Sequence, residues 1–274
     1  MNTDSNRTIL FITGAFISHT CWDNWRNYFE ERDYTTLAPP WPGKDASPEI
    51  LRQRHPDSEV AAIRLKDLIA HYEAICDRLP QKPIVIGHSL GGLIAQILAS
   101  KGKAQLAVGL HSVPPKGIFT YKFSFYKAGW GALGFFTSVK RTFMMSLDQW
   151  RYAFTNGMPE EWQESSYFTY AIPESKLAVR DTIGPDAVVD FKAPHAPLLL
   201  IAGEIDHAIP SSLNKSNYEA YQNRESITDF REFPGRNHFV IGQPGWEEIT
   251  QYISEWLRIN TDHKTRTDNV SNSF

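Results

Sequence analysis

Short apolar runs, most of them ended by glycine or proline, alternate along this chain with longer stretches whose apolar residues recur every three or four positions. The short runs are Thr8–Ile12 (TILFI), 35–38 (TTLA), 84–86 (IVI), Leu106–Leu110 (LAVGL), 197–203 (PLLLIAG) and 227–233 (ITDFREF), and they read as strands. After the second, Pro39, Pro40, Pro42 and Gly43 forbid regular structure. Pro56, Asp57 and Ser58 look like a helix start. Beyond them Leu65, Leu68, Ile69, Tyr72, Ile75, Cys76 and Leu79 fall on one helix face, suited to packing on a sheet, until Pro80 and Pro83 end the helix. Trp246, Ile249, Tyr252, Ile253, Trp256 and Leu257 trace a closing amphipathic helix.

Strands alternating with helices predict an α/β protein, its parallel sheet covered on both faces. Residues 115–190 break that rhythm. Between Phe119 and Tyr170 lie 16 of the chain's 35 aromatic residues, too many for an even share of the core. They suit a helical subdomain with its own small core, a lid whose aromatic underside lines an apolar pocket, or both. Phe119, Trp130 and Phe135 belong to this segment and are unranked candidates for touching a substrate. The expected organisation is a core in two parts, 1–114 and 191–260, a helical aromatic-rich lid at 115–190, and a flexible polar tail at 261–274.

At 274 residues the chain is long enough for one large domain with an insertion. Its net charge of −3 gives no electrostatic reason to expect nucleic acid or an anionic membrane surface. The longest apolar stretches fall short of the roughly 20 residues that span a bilayer. The opening MNTDSNR lacks the pattern of a secretory signal, and two cysteines, Cys21 and Cys76, are too few for a disulfide framework or zinc cluster. A cytoplasmic, metal-free protein acting on a small molecule is the expectation; oligomeric state is not legible.

Gly87-His88-Ser89-Leu90-Gly91 matches G-x-S-x-G, with strand-forming IVI before it and helix-prone LIAQILA after. A direct turn from strand to helix strains the serine backbone and packs its neighbours closely, which explains the glycines. The hydroxyl then projects at the sheet's carboxyl edge, beside the N-terminus of the next helix. A serine hydroxyl needs a base, and the base an orienting acid. Asp206 stands just beyond PLLLIAG; Glu204, its nearest rival, follows Gly203 too soon to clear the sheet. His238 lies 32 residues further, in a loop opened by Pro234 and Gly235 and before the last helix. The other histidines fit less well. His19, His55, His71, His111 and His195 precede the acid, His207 adjoins it, His263 is in the tail, and His88 points away from the serine as a packed neighbour. Oxyanion donors are expected from the backbone N–H of Leu90 and from that of Ala15 or Phe16, where Gly14 lets the backbone come close.

With these parts together the sequence resembles the α/β-hydrolase superfamily, on the branch of small, lidded, esterase-like members. The resemblance spans about residues 8–257 and rests on ITGAF, GHSLGG, LLLIAGEIDHAIP and FPGRNHF. It implies an α/β-hydrolase fold with a mostly parallel eight-stranded sheet flanked by helices, a helical lid insertion, a Ser89-His238-Asp206 triad and no cofactor. One departure is Thr13-Gly14, where many members carry His-Gly to order the loop. The chemistry expected is cleavage of a carboxylic ester or lactone with an apolar or aromatic group through an acyl-enzyme. Alternatives are C–C bond hydrolysis or cofactor-free haloperoxidase or oxygenase chemistry on the same residues, or a ligand-binding receptor without turnover.

Overall fold

A computed structural model describes residues 7–134 and 137–271, without the side chains of 130–132 and 262–271. Six strands form one sheet: β1 (Thr8–Ile12), β2 (Thr35–Leu37), β3 (Ile84–His88), β4 (Leu106–Leu110), β5 (Leu198–Gly203) and β6 (Thr228–Phe233). Their order is β2-β1-β3-β4-β5-β6, and every neighbouring pair is parallel. The eight strands implied by the resemblance are thus corrected to six among the described residues. The reason lies in the pattern itself, which holds six strand-type apolar runs. Strands β3, β4 and β5 are buried along their whole length, as expected of a parallel sheet covered on both sides.

Among the described residues eleven α-helices accompany the strands. Before β4 come α1 (Asp23–Glu30), α2 (Pro48–Gln53), α3 (Ser58–Ala62), α4 (Leu65–Arg78) and α5 (Leu90–Ser100). Between β4 and β5 lie α6 (Phe123–Leu133), α7 (Leu147–Ala153), α8 (Glu160–Tyr170) and α9 (Lys176–Arg180), and α10 (Ser211–Ala220) and α11 (Trp246–Ser271) complete the chain. Helix α5 covers β3 and β4 with α4 beside it, and α10 lies on β5 and β6. On the opposite face Phe11 of β1 packs against Trp22, Trp25 and Phe29, and Trp246 of α11 stacks on Trp25.

The helix expected after Pro56 divides in two. Asp57 Oδ1 accepts from the N–H groups of Glu59 and Val60 and so starts α3, while Arg64 is extended and its N–H donates to Asp67 Oδ2 at the head of α4. Helix α2, capped by the Ser47 hydroxyl, has no counterpart in the expected elements. At the other end, α11 runs on to Ser271 through most of the segment expected as a tail, since no glycine or proline follows Gly245 to stop it.

The aromatic segment divides by depth. Trp150 is fully buried and lies flat on Phe154 at 4.2 Å, a small core of its own, whereas Phe119, Tyr121 and Phe123 face solvent. The side chain of Trp130, and Phe135 altogether, lie outside the described residues.

Parallel register brings the carboxyl ends of the central strands to one edge, with Ile12 beside Gly87, His88 beside Leu110 and Leu110 beside Ile201. Whatever follows β1, β3, β4 and β5 therefore meets there. The packing under that edge depends on Trp25, which is fully buried and donates its indole N–H to Ile241 O at 2.9 Å. Trp25→Ala is expected to lower stability by about 3–5 kcal/mol, read as a fall in the urea midpoint at unchanged slope; a loss under about 1 kcal/mol would contradict this account of the packing.

Candidate active site

The turn from β3 into α5 passes directly from strand to helix through Ser89. Ser89 has φ 55° and ψ −117°, a backbone conformation that L-residues adopt only under constraint. The constraint is backbone pressed on backbone. A Cβ on Gly87 would lie 2.0 Å from Gly91 O, and one on Gly91 would lie 2.1 Å from Ile12 O. Nothing larger than glycine fits at either place. Ser89 N–H donates to Leu110 O at 2.9 Å, and Ser89 O accepts from Val113 N at 2.9 Å, which locks the serine between β3 and the end of β4.

Asp206 follows β5 in a turn where its Oδ1 accepts the Ile209 N–H at 2.8 Å. His238 lies beyond β6 in a loop held by Asn237. The Asn237 N–H donates to Gln243 Oε1 at 3.0 Å, its Nδ2 donates to Asn156 O at 2.9 Å, and its Oδ1 accepts the Phe239 N–H at 3.0 Å. The insertion braces both loops from above, since Asn156 Nδ2 donates to Ile205 O at 2.7 Å and the Phe154 ring meets His238 edge-on at 4.8 Å.

These three loops bring the three expected side chains together. His238 Nε2 is 3.0 Å from Ser89 Oγ, and His238 Nδ1 is 2.7 Å from Asp206 Oδ2. All three are buried, at 7% exposure or less. Burial by itself pushes the Asp206 carboxyl up, but His238 and His111 overcome it and hold the group well below the usual carboxylate range. A carboxylate accepts and does not donate, so His238 carries its proton on Nδ1 and turns a lone pair toward the serine. That arrangement can draw a proton from the hydroxyl.

His88 donates Nε2–H to His238 O at 2.8 Å, so it holds the base's backbone and, as expected, does not address the serine. Glu204 takes no part in the cluster; its Oε2 accepts the Gly235 N–H at 2.9 Å.

The expected oxyanion donors separate. Leu90 opens α5 and its N–H faces outward from the helix end. Ala15 N–H has no partner among the described residues. Phe16 N–H does: it donates to Glu174 Oε2 at 3.1 Å, which corrects Phe16 as a candidate and leaves Ala15. Glu174 is fully buried, pairs with the buried Lys44, and accepts the Ser175 N–H through Oε1. Ser18 N–H donates to Tyr170 O, and Ile172 N–H to Phe16 O, so the loop after β1 is stitched to the insertion along its length. At Thr13, in the place where a histidine was noted as common, two indoles order the loop. Trp22 donates to its hydroxyl at 3.1 Å and Trp41 to its carbonyl at 3.2 Å.

Above the serine lies a cavity of about 510 Å³. Phe16, Val113, Phe125, Met145, Phe154 and Ile209 contribute its apolar wall, while Ser89 and His238 stand at its floor. Phe119 also lines it.

Two features escaped the sequence reading. Lys44 and Glu174 lie 130 positions apart, and no local signal pairs them. His111 places Nδ1 2.7 Å from Asp206 Oδ2, the oxygen that also serves His238. It was set aside for preceding the acid, yet it immediately follows a strand, as Ser89 does. His111, Asp206 and His238 are also the described group whose donor atoms lie close enough to consider a metal. Contacts of 2.7 Å suit shared protons better than co-ligands of one ion, since tetrahedral ligands at about 2.0–2.1 Å stand more than 3 Å from each other.

The site has a consequence for stability. Burial, with smaller like-charge contributions from neighbouring histidines, drives the His88 and His111 imidazoles below their ordinary value. A group with a lower pKa in the folded chain binds fewer protons there than in the unfolded chain. Its contribution is therefore whole above the unfolded value of about 6.5 and is lost as pH falls below it. Asp206 behaves alike from about 3.8 downward. Thermal unfolding should show a melting temperature that declines from near pH 6.5 toward pH 5 and again below about pH 4; a flat profile between pH 7 and 5 would contradict the neutral buried imidazoles.

The profile of a family described as the alpha/beta hydrolase family matches residues 9–246. No curated protein matches the chain in sequence. Among solved structures, the chain is similar to the methylesterase protein MES16 from Arabidopsis (17% identity, TM-score 0.63, 92% of this chain and 99% of that one). Tomato methylketone synthase I, complexed with 2-tridecanone, gives 16% identity and a TM-score of 0.68, covering 93% of this chain and 99% of that one. A monoacylglycerol lipase from Paleococcus ferrophilus gives 18% and 0.63, covering 91% and 93%. At such identities the likeness is one of fold.

Proposed function

The chain belongs to the alpha/beta hydrolase family, and on that premise we propose that it is a serine hydrolase cleaving a carboxylic ester or lactone with an apolar or aromatic group. The observation that carries this reading is the unbroken line Ser89 Oγ, His238, Asp206 beneath an apolar cavity, with hydrogen bonds of 3.0 and 2.7 Å. Ser89 Oγ attacks the ester carbon while His238 Nε2 takes the hydroxyl proton. The oxyanion forms against the N–H groups of Ala15 and Leu90, each such donor contributing about 3–4 kcal/mol. His238 then passes the proton to the departing alkoxide, which leaves an acyl-enzyme on Ser89. In the second half His238 takes a proton from water, the hydroxide attacks the acyl carbon, and the proton returns to Ser89. Asp206 keeps the imidazole in the working tautomer and stabilises its charged form.

Residues 115–190 act in this reading as a lid over a core made of 1–114 and 191–260. The methylesterase and lipase among the structural neighbours support hydrolysis as the class of reaction. The wall of the cavity, mostly carbon, supports an apolar acyl or alcohol group.

Nitrophenyl esters of graded acyl length test the proposal. Each added methylene is expected to raise kcat/KM about fourfold until the cavity is filled, from about 0.8 kcal/mol per buried CH₂. Ser89→Ala should lower kcat/KM by at least about 10³-fold and abolish labelling by a fluorophosphonate probe. Because the base works only without its proton, kcat should decline toward acid pH. Hydrolysis or labelling that survives Ser89→Ala removes the serine from the reaction. Tight binding of an apolar ligand with no turnover of any ester favours the receptor reading.

A further inference from the structure

His111 occupies an unusually demanding position. Its φ is +46°, in the region that favours glycine, and its N–H donates to Ile201 O at 2.7 Å. The ring is fully buried, and among the described residues its Nε2 has no partner. Room for the ring depends on Gly203, where a Cβ would lie 2.4 Å from His111 Cε1. Left-handed backbone, an unpaired buried nitrogen and a missing neighbour side chain all attend one contact, Nδ1 to Asp206 Oδ2 at 2.7 Å. Because Asp206 is held ionised and only accepts, His111 Nδ1 is the donor and Nε2 is a bare lone pair.

We propose that His111 is a positioning residue for the hydrolytic site, one that shares Asp206 Oδ2 with His238 and so sets how strongly the carboxylate holds the base's proton. The inference rests on the serine-hydrolase reading above. Two N–H groups on one oxygen divide its charge, so each is held less tightly than it would be alone. His111 therefore fixes the carboxylate's orientation and limits how tightly Asp206 Oδ2 holds the Nδ1 proton of His238. The groups facing the His111 ring are few. They are Asp206, the His238 and His88 rings with centroids 6.1 and 6.4 Å away, and the Arg236 guanidinium from the loop after β6. Burial lowers the His111 pKa, Asp206 raises it, and His238 and Arg236 lower it further, with a net fall that leaves a neutral donor.

Two variants and one spectroscopic measurement test this. His111→Leu removes the donor and fills the space, whereas His111→Asn keeps an N–H near the same point and tolerates the left-handed backbone. With the leucine, Asp206 acts on His238 alone, so the acid limb of kcat should move up by about 0.5–1 pH unit. KM should change less than about twofold, because His111 does not line the cavity. The asparagine should restore the limb to within about 0.3 unit of its original place. A limb unmoved in His111→Leu, or an asparagine no better than leucine, overturns the proposal.

Should the leucine variant not fold, ¹⁵N-histidine spectra of the unmodified protein decide. Two imidazoles protonated at Nδ1 with low-field protons are expected to respond together to Asp206→Asn. Protonation of His111 at Nε2, or a His111 proton that ignores Asp206→Asn, overturns it. A wild-type protein that hydrolyses no ester and takes no fluorophosphonate label would instead fail the hydrolase reading. The role of His111 would then be read from the titration of His238 in the same spectra, with and without His111→Leu.

Discussion

Direct contact of backbone with backbone at the turn from β3 to α5 is the constraint on which the rest of this molecule depends. Gly91 lies against the end of β1 and Gly87 against Gly91, at separations that leave no room for a Cβ. Only because α5 starts so close to the sheet does Ser89 adopt its strained conformation and stand clear of the edge. The same closeness places the Leu90 N–H, the first of α5, beside the serine. Strain at one residue, sustained by packing around it, thus sets a buried hydroxyl at the floor of the cavity, beside the start of α5.

Around that turn the site is built by excluding water. Asp206, His238, His111 and His88 are all buried, and each polar contact among them is stronger for the low dielectric around it. The insertion contributes much of the exclusion. Phe154 presses on the base, Asn156 holds the loops of acid and base, and the buried pair of Glu174 with Lys44 secures the loop after β1. Glu174 holds the Phe16 N–H, whereas the Ala15 N–H has no partner among the described residues, so a residue of the insertion distinguishes the two amides. Movement of the segment around residues 170–174 would accordingly be felt at the amides beside the serine, through the hydrogen bonds joining the two.

Much of this was open to reading in the linear pattern where the physics is local. Strand runs ended by glycine or proline, the three- and four-residue spacing in α4 and α11, and the elbow with its glycines all act within a few residues of themselves. Ser89, Asp206 and His238 could be chosen because each directly follows a strand in a turn-rich stretch, and parallel strands all deliver their carboxyl ends to one edge. The strand count drawn from resemblance exceeded what the apolar runs supported, and the runs were the better guide. Phe16 was indistinguishable from Ala15 as a donor because the choice between them is made by a glutamate 158 positions away.

His111 marks the boundary most sharply. Its place just after a strand was visible, but chain order set it aside, and only strand order restores it: β4 lies between the strands that carry Ser89 and Asp206. The sequence by itself determined the elements, the direction in which each strand delivers its next residue, and the types of side chain available at those ends. Tertiary structure alone decided which ends are neighbours, which amide Glu174 holds, and how one carboxylate oxygen is divided between two imidazoles. These depend on contacts spanning from 32 to 158 positions, formed by burial rather than by any rule that acts along the chain.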